Sequence, residues 1–288
     1  MVTEAKVAVI GGSGLYDLEG LTDIQEVTPE TPYGTHSDAI VLGTLAGVRV
    51  AFLPRHGKGH RFNPTAIPVR ANIYALKSLG VERVVSVSAV GSLKEEVQPL
   101  DLVIPNQLID RTRQRQASFF DEGLVVHVAF ADPFCPVLSH LLAEVASEVG
   151  ATVHEGGTYV VMEGPAFSTR AESHLYRSWG ASVIGMTALP EAKLVREAEM
   201  CYATLACATD YDCWHETEEA VTVEMVIATL LRNVATSKSI LAQLLPRLSG
   251  ARSCSCGTAL ESAILTAREA VPIETQQRLS LLVGRYLG

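Results

Sequence analysis

Two aspartates, Asp210 and Asp212, stand two positions apart where a long apolar run ends, in the segment ATDYDCWHE (208–216). If the chain stays extended as far as residue 212, both carboxylates face the same side. Such a pair can accept hydrogen bonds from a flat ligand edge rich in donors, or it can bind a divalent cation. In a third interpretation one aspartate caps a helix and the other is solvated. Spacing alone leaves all three open.

Two other segments have side chains that suit an anion. GGSG (11–14) offers backbone N–H groups and the hydroxyl of Ser13, although it lacks the further residues of a dinucleotide or P-loop motif. RHGKGHR (55–61) begins with Arg55 and His56 and concentrates basic and donor groups in an acidic protein. A plain tight turn and a solvated basic loop are the alternatives for these two segments.

Two hydroxyl residues, Ser88 and Thr187, lie at or near the ends of apolar runs and beside small residues. Alone, neither carries functional information. If they converge with Ser13, Arg55 and His56, the five residues complete a cup of donors for an oxyanion. Sequence spacing does not establish that convergence.

The elements that must position these residues alternate along the chain. Short apolar runs predict strands at 6–10, 48–54, 83–90, 101–105, 158–164, 182–186 and 201–209. Amphipathic stretches predict helices near 64–79, 134–149, 168–179 and 222–246, and two more around Pro272. We therefore predict a single α/β domain over residues 1–288, with a central, mixed, mostly parallel β-sheet flanked by helices.

Within this domain we expect a catalytic core over about 5–246 and a C-terminal helical extension over about 257–287. Ligands of α/β sheets bind beyond the carboxyl ends of the strands. GGSG, RHGKGHR, Ser88, Thr187 and the aspartate pair all lie at such ends. A purely structural sheet has no need of polar groups collected there.

Composition narrows the functional classes. The chain of 288 residues has a net charge of −9, which disfavours binding to nucleic acid. Its apolar runs are shorter than the roughly 20 residues that span a bilayer, and the first apolar stretch is too short for a signal peptide. We expect a cytoplasmic protein that binds neither nucleic acid nor membranes.

Six cysteines are present, and in this setting most are expected to be free and buried. Cys254 and Cys256 form a C-x-C motif in a loop-like stretch rich in serine and glycine. The spacing fits a zinc knuckle poorly and no histidine pair lies nearby, so we predict no metal site. A local disulfide is the alternative, and the redox state of the two thiols is left open.

Nine segments in order resemble the 5′-methylthioadenosine phosphorylases of the purine nucleoside phosphorylase superfamily. They are GGSGLYD (11–17), TPYG (31–34), LPRHGKGHR (53–61), RANIYALK (70–77), SAVGSL (88–93), ADPFC (131–135), EGPAFSTRAE (163–172), GMTALPEAKL (185–194) and ATDYDCW (208–214). The resemblance covers roughly residues 5–246. It implies the nucleoside phosphorylase fold and a pentosyltransferase reaction in methionine and purine salvage.

That reaction is phosphorolysis of 5′-methylthioadenosine to adenine and 5-methylthioribose 1-phosphate, without metal or organic cofactor, because inorganic phosphate is itself a substrate. The alternative is a related phosphorylase that accepts adenosine, 5′-deoxyadenosine or methylthioinosine. The family's shared sites imply a homotrimer or a hexamer built as a dimer of trimers.

The resemblance also assigns residues. Those that match the phosphate site are Ser13, Arg55, His56, Ser88, Ala89 (through its backbone) and Thr187. Those that match the nucleoside site are Phe167, Ser168, Met186, Asp210, Asp212, Val223, Val226, Ile227 and, from a neighbouring subunit, His127. Asp210 is expected to supply a proton to purine N7 and Asp212 to accept from the 6-amino group. Ala166 departs from the arginine that is usual in the family, and this puts the contacts of its loop in doubt.

Overall fold

A computed structural model of the chain describes residues 5–12, 19–121, 123–215 and 223–287. Eleven strands form one sheet. They are Val7–Gly11 (β1), Thr22–Val27 (β2), Ile40–Leu45 (β3), Val48–Pro54 (β4), Arg83–Ser92 (β5), Leu102–Ile104 (β6), Gln107–Arg111 (β7), Val153–Glu155 (β8), Thr158–Met162 (β9), Val183–Gly185 (β10) and Cys201–Asp210 (β11).

The sheet is mixed and mostly parallel, as predicted. Its main path runs β2-β3-β4-β1-β5-β10-β9-β7, and β11 joins β5 to β6, which in turn pairs with β8. Six pairings are parallel and four are antiparallel. The antiparallel pairs lie at the β2–β3–β4 edge and where β10 and β6 join the centre.

Helices cover both faces. They are Val69–Ser78 (α1), Pro136–Glu148 (α2), Arg170–Ser178 (α3), Ala188–Glu197 (α4), Val223–Arg247 (α5), Ile273–Arg278 (α6) and Ser280–Leu287 (α7), with 3₁₀ turns at Ser255–Thr258 and Arg268–Ala270. Alternate residues of each central strand point to opposite faces. Val84 therefore packs in one apolar cluster with α1, α4 and α7, while Val85 packs in a second with α2 and α5. Because both faces are buried, β1, β5 and β11 consist mostly of apolar residues, with small hydroxyl residues between them in β5 and β11.

The predicted central strands are confirmed. The helix predicted before Pro272 is wrong, because that stretch forms 3₁₀ turns and both short helices follow the proline. Most elements that sequence analysis missed have weak local patterns, although β3 is apolar and buried. β2 is exposed and polar, β8 has three residues, and α4 begins directly after a three-residue strand. The predicted helix near 168–179 is present as α3, but its N-cap is Thr169, which forms a capping box with Glu172. Among the described residues, no helix is both long and apolar enough to span a membrane.

Glu197, near the end of α4, fixes a loop onto the core. Its carboxylate accepts hydrogen bonds from Ser118 Oγ at 2.8 Å and from the Phe119 N–H at 2.7 Å. Burial raises the pKa of Glu197 from 4.5 to about 7. Between pH 4.5 and 7 the folded protein therefore keeps a proton that the unfolded chain has already released. The stability that this group contributes is fully present below pH 4.5 and is lost as the pH rises through 7.

Glu197→Gln should remove this pH dependence, because an amide keeps both contacts and does not ionise. As the pH rises from 5 to 8, the unfolding free energy of the variant should increase by about 2.5 kcal/mol relative to that of the parent protein. Denaturant unfolding at several pH values measures the gain. Glu144→Gln, at an exposed position on α2, is the matched control. If the unfolding free energies of Glu197→Gln and of the parent change with pH in the same way, the raised pKa of Glu197 is contradicted.

Candidate active site

The carboxyl end of β5 is where the predicted site residues meet, because three strands pair with β5. In the parallel ladder with β11, Asp210 lies opposite Gly91, after an irregularity that follows Ala208. In the antiparallel ladder with β10, Ile184 also lies opposite Gly91. Thr187 follows two residues after the end of β10, as the N-cap of α4. Pairing with β5 therefore brings the ends of β10 and β11 together, which sequence spacing alone did not establish.

Arg55 follows β4 and is held next to β1 by its own N–H, which donates to Gly11 O at 3.0 Å. Its side chain is 2% exposed and forms an ion pair with Glu191, which is equally buried. It also donates to Ser86 Oγ at 2.6 Å and to Val87 O at 3.2 Å. Burial disfavours its charge, but the carboxylate of Glu191 more than compensates and raises the pKa of Arg55.

The guanidinium has five N–H groups, and four of them are used inside the protein. One N–H on Nη1 has no acceptor among the described residues. Arg55 is therefore a buried, fixed positive charge whose other four N–H groups are already used inside the protein.

His56 is the neutral member of the predicted phosphate set. Burial, followed by the charge of Arg55, lowers the pKa of His56 to about 4. Its Nδ1 lies 2.8 Å from Phe62 O, and since a carbonyl only accepts, Nδ1 carries the hydrogen. Nε2 then has a lone pair and can accept a hydrogen bond from a protonated phosphate oxygen. The His60 ring stacks on His56 at a centroid distance of 4.0 Å, which gives His60 a supporting position.

Three buried hydroxyls make no well-formed hydrogen bond to another of the described residues: Ser88 Oγ, Thr187 Oγ1 and Tyr159 OH. Burial raises the pKa of Tyr159, while the nearby hydroxyls of Ser88 and Thr187 and the charge of Arg55 oppose the rise, so all three are neighbours of the Tyr159 hydroxyl. Buried polar groups are rarely left unpaired in native proteins. Hydroxyl donors gathered near a buried guanidinium suit the oxygens of an anion.

The two aspartates are brought together, but not in the way predicted. β11 ends at Asp210, and Asp212 lies in a turn with a left-handed φ of 50°. The expectation of an extended chain through residue 212 is therefore wrong. Instead, the Asp212 N–H turns back and donates to Asp210 Oδ1 at 2.8 Å. Aspartate tolerates this backbone conformation better than most residues, because its side chain can hydrogen-bond locally.

Burial raises the pKa of Asp210, and the nearby charge of Asp212 adds to the shift, against hydrogen bonds from Thr209 and from the Asp212 N–H. Burial likewise raises the pKa of Asp212, against donors that include the hydroxyls of Ser173 and Ser168. Both carboxyls are thus biased toward the protonated form, as an acid catalyst requires.

The surroundings of Asp210 include a place for that proton. Thr209 Oγ1 lies 2.6 Å from Asp210 Oδ2 and 3.2 Å from Val90 O. A hydroxyl has one hydrogen, and a carbonyl can only accept it. When Thr209 donates to Val90, the short contact with Oδ2 needs a hydrogen on Asp210. The geometry therefore accommodates a neutral Asp210 whose proton is on Oδ2.

Arg115, which sequence analysis missed, supports the loops that carry Ser168 and Met186. Its side chain is 3% exposed and pairs with Glu163. It donates to the backbone carbonyls of Met162, Glu163, Met186 and Leu189. These bonds join the end of β9 to the start of α4, and so fix Met186 and the adjacent Thr187. Ala166 lies in the same loop and is exposed, so the loop keeps its anchors at Glu163 and at the α3 capping box without an arginine there.

The remaining predicted residues are less enclosed. Phe167, Val223 and Ile227 are 45%, 57% and 51% exposed, and Leu231 continues the stripe along α5 at 65%. His127 is exposed, and its N–H donates to Ala263 O, which ties it to the C-terminal segment. Ala89 is half-buried on β5. Ser13 and the side chain of Val226 lie outside the described residues.

With the geometry in place, comparison with known proteins decides the family. A model of the phosphorylase superfamily matches residues 6–246. The S-methyl-5′-thioadenosine phosphorylase of Geobacter sulfurreducens is 56% identical over 99% of this chain and 100% of its own length. That of Thermosynechococcus vestitus is 55% identical over 98% of this chain and 99% of its own.

The chain belongs to the S-methyl-5′-thioadenosine phosphorylases of the phosphorylase superfamily. Solved structures agree. A methylthioadenosine phosphorylase from an antarctic soil metagenomic library superposes with a TM-score of 0.93 at 51% identity, over 97% of this chain and 99% of that one. A mutant adenosine/methylthioadenosine phosphorylase of Schistosoma mansoni, in complex with methylthioadenosine, gives 0.80 at 34% identity over 86% and 93%.

Family motifs contained several supporting residues that sequence reasoning passed over. Glu191 is within GMTALPEAKL, four residues after Thr187, where the first turn of α4 brings it back toward Arg55. Thr209 directly precedes the aspartate pair. Tyr159 is within an apolar strand, and nothing in its sequence neighbourhood marks it. Of these residues, only Glu191 has a local signal, because it is a carboxylate in the otherwise apolar first turn of α4.

Gly91→Ala should impair the site more than the fold. A Cβ at this position would lie 3.0 Å from Asp210 Oδ1, 3.2 Å from Asp212 Cβ and 3.2 Å from Ile184 Cγ2. Relief of this crowding displaces the carboxyls, so kcat/KM for nucleoside should fall at least about 10-fold, at a stability cost of about 1–3 kcal/mol. Steady-state kinetics and thermal unfolding measure the two effects. Gly250→Ala, which meets nothing within 4 Å, is the control. Unchanged kinetics in Gly91→Ala would show that the pair tolerates displacement.

Proposed function

We propose that the protein catalyses phosphorolysis of 5′-methylthioadenosine, giving adenine and 5-methylthioribose 1-phosphate. The observation that carries the proposal is a buried carboxyl pair with raised pKa values at the end of β11, beside a cluster of unpaired hydroxyls and a buried arginine at the end of β5. The first group can protonate a leaving base, and the second can hold phosphate. Full-length identity to methylthioadenosine phosphorylases supports the same substrate.

Phosphate is proposed to take the place that the unpaired donors leave open. The hydroxyls of Ser88 and Thr187 and the free N–H of Arg55 donate to its oxygens. Neutral His56 accepts from the phosphate hydroxyl through Nε2. Ser13 and the backbone of Ala89 complete the proposed set. Phosphate is the nucleophile, so the reaction needs no metal or organic cofactor, and the cup determines its distance from C1′ of the sugar.

The purine is proposed to leave as the neutral base. Cleavage of the glycosidic bond passes through an oxocarbenium-like state, in which negative charge develops on the base. Asp210 gives its Oδ2 proton to N7, and the Thr209 hydroxyl turns from Val90 O to the new carboxylate. Asp212 accepts a hydrogen bond from the 6-amino group, which a 6-oxo group does not offer.

Sugar and methylthio contacts are proposed for Met186, Phe167, Ser168 and the apolar start of α5. Val223, Val226 and Ile227 would then face the thiomethyl group, and an apolar wall leaves a 5′-hydroxyl unpaired. The exposure of Val223 and Ile227 in a single chain supports a site closed by another subunit, with His127 contributed in trans. We therefore also propose a homotrimer or a dimer of trimers.

We further place the enzyme in the cytoplasm, in methionine and purine salvage, with the catalytic core over about 5–246 and the extension over about 257–287. The second candidate activity is phosphorolysis of adenosine, because the Schistosoma mansoni relative is an adenosine/methylthioadenosine phosphorylase. Phosphate-dependent cleavage, assayed side by side on methylthioadenosine, adenosine and methylthioinosine, separates these. Equal cleavage without phosphate would mean hydrolysis and would contradict the proposal.

Ser88→Ala tests the phosphate cup without removing a buried charge. The Ser88 hydroxyl is buried without a partner, so its loss should leave the ligand-free protein as stable as before or slightly more stable. The KM for phosphate should rise about 10-fold, with little change in the KM for nucleoside. Ser139→Ala, which removes another unpartnered buried hydroxyl from α2, is the matched control and should leave both KM values unchanged. An unaltered phosphate KM in Ser88→Ala would remove Ser88 from the site.

Asp210→Asn tests the acid. Its amide cannot give a proton to N7, so kcat for methylthioadenosine should fall about 10²–10⁴-fold. An amide remains a hydrogen-bond donor, whereas the ionised carboxylate only accepts and disfavours a 6-oxo group, so the preference for methylthioinosine relative to methylthioadenosine should rise. Asp132→Asn, on an exposed loop, is the control. A base preference that does not change would contradict the reading of the purine by Asp210.

A further inference from the structure

Four cysteines meet at the end of the sheet opposite the proposed active site. Cys135 is the N-cap of α2, Cys201 is the first residue of β11, and Cys254 and Cys256 flank the start of the 3₁₀ turn Ser255–Thr258. All four are free thiols, three of them buried and Cys254 half-buried. Their Sγ atoms all lie within 4.8 Å of one another. Among the described residues, no other group of cysteines, histidines and carboxylates is gathered in this way.

The mutual distances fit one central ion. A zinc ion with four thiolates at about 2.3 Å requires sulfur atoms about 3.8 Å apart along each edge of a tetrahedron. Cys201 Sγ and Cys254 Sγ are 3.3 Å apart, and no pair of the four exceeds 4.8 Å. Two disulfides would need only two close pairs. Four sulfur atoms that are all close to one another are explained by one metal ion that all four bind.

We propose that Cys135, Cys201, Cys254 and Cys256 bind one Zn²⁺ as a structural Cys₄ site. Binding converts four thiols into thiolates and releases four protons, without any oxidation or reduction. The C-x-C motif fits a zinc knuckle poorly because only half of the site is local. The other two ligands come from positions 53 and more residues away in the chain.

Neighbouring groups suit thiolate ligands. Cys135 Sγ accepts a hydrogen bond from the Leu138 N–H at 3.5 Å, at the N-terminus of α2. Such N–H donors, and the positive end of a helix, stabilise a thiolate ligand. Arg83 lies opposite Cys201 in the β5–β11 ladder, and Arg252 is two residues from Cys254. Both arginines also pair with Glu82, at 3.6 and 3.7 Å, so together the three groups leave one positive charge that partly offsets the double negative charge of a zinc ion with four thiolates.

The position of the site assigns it a structural role. Cys201 and Asp210 are the two ends of β11, so the thiols lie about 30 Å from the proposed acid, at roughly 3.3 Å per residue. Zinc bound there fastens the C-terminal segment to the first residue of β11 and to the start of α2. Leu260, Leu279 and Val283 of this segment belong to the apolar core, so release of the metal should loosen packing and leave the chemistry intact.

The test begins with metal analysis of protein purified without chelators or metal-affinity resin. We expect one equivalent of zinc per chain, and none in Cys254→Ser/Cys256→Ser. Cys201→Ala and Cys207→Ala form a matched pair, because both thiols are buried on β11 and only Cys201 is in the cluster. Cys201→Ala should lose zinc and Cys207→Ala should keep it. Equal zinc contents in this pair would overturn the proposal.

Cobalt binding gives a spectroscopic signature that cysteines packed in the core without a metal would not give. Co²⁺ added to metal-free protein should produce thiolate-to-cobalt charge transfer in the near ultraviolet and strong visible bands of a tetrahedral ion. Cys207→Ala should show the same spectrum and Cys254→Ser/Cys256→Ser should not. Absence of the bands in the parent protein would overturn the site.

Alkylation and mass spectrometry under non-reducing conditions distinguish zinc from disulfides. Zinc thiolates should resist alkylation in the native protein and react after chelation. The mass of the metal-free protein should be that of the fully reduced chain. A protein without zinc, whose mass is lower by the two hydrogens lost for each of one or two disulfides, would contradict the zinc site and indicate disulfides instead.

A chelator should lower the midpoint of thermal unfolding of the parent and of Cys207→Ala, and leave that of the double variant unchanged. A loss of kcat beyond the loss of folded protein would contradict a structural role.

Discussion

The buried ion pair between Arg55 and Glu191 is the interaction on which the arrangement of the site depends. It joins the chain after β4 to the first turn of α4, across β5. Ser86 and Tyr202 also bind the pair, so its hydrogen-bonding capacity is nearly filled from within the protein. Two charges that are 98% removed from water are tolerated only in such a network, and loss of either partner typically costs about 3–5 kcal/mol. The pair is thus a fixed frame, which leaves one arginine N–H for an anion.

Around that frame the protein leaves polar groups unsatisfied where a ligand can pair with them. Ser88, Thr187 and Tyr159 bear buried hydroxyls without partners, and Asp210 and Asp212 have raised pKa values because burial outweighs their hydrogen bonds. A buried hydroxyl without a partner typically costs about 1–3 kcal/mol. Phosphate and purine would relieve these penalties on binding, so the same groups supply both affinity and selectivity.

The two ends of β11 lie in two different candidate sites. Its carboxyl end presents the acid pair, and its amino end presents Cys201 to three other thiols. β11 is buried along its whole length between β5 and the helices on both faces. A tie between Cys201 and the C-terminal segment therefore acts on the same rigid strand that positions Asp210, at a distance where it affects stability and not charge.

Sequence by itself determined the central strands, the class of fold, the family and most of the site residues. Strands buried on both faces must be apolar throughout, and glycine, arginine and aspartate after such strands are local signals. Tertiary structure decided what no local pattern contains. Asp212 meets Asp210 through a left-handed turn and not through strand alternation, Arg55 is committed to Glu191, and four cysteines from three distant segments converge. These outcomes depend on strand register and on which groups lose contact with water, and both are properties of the packed chain.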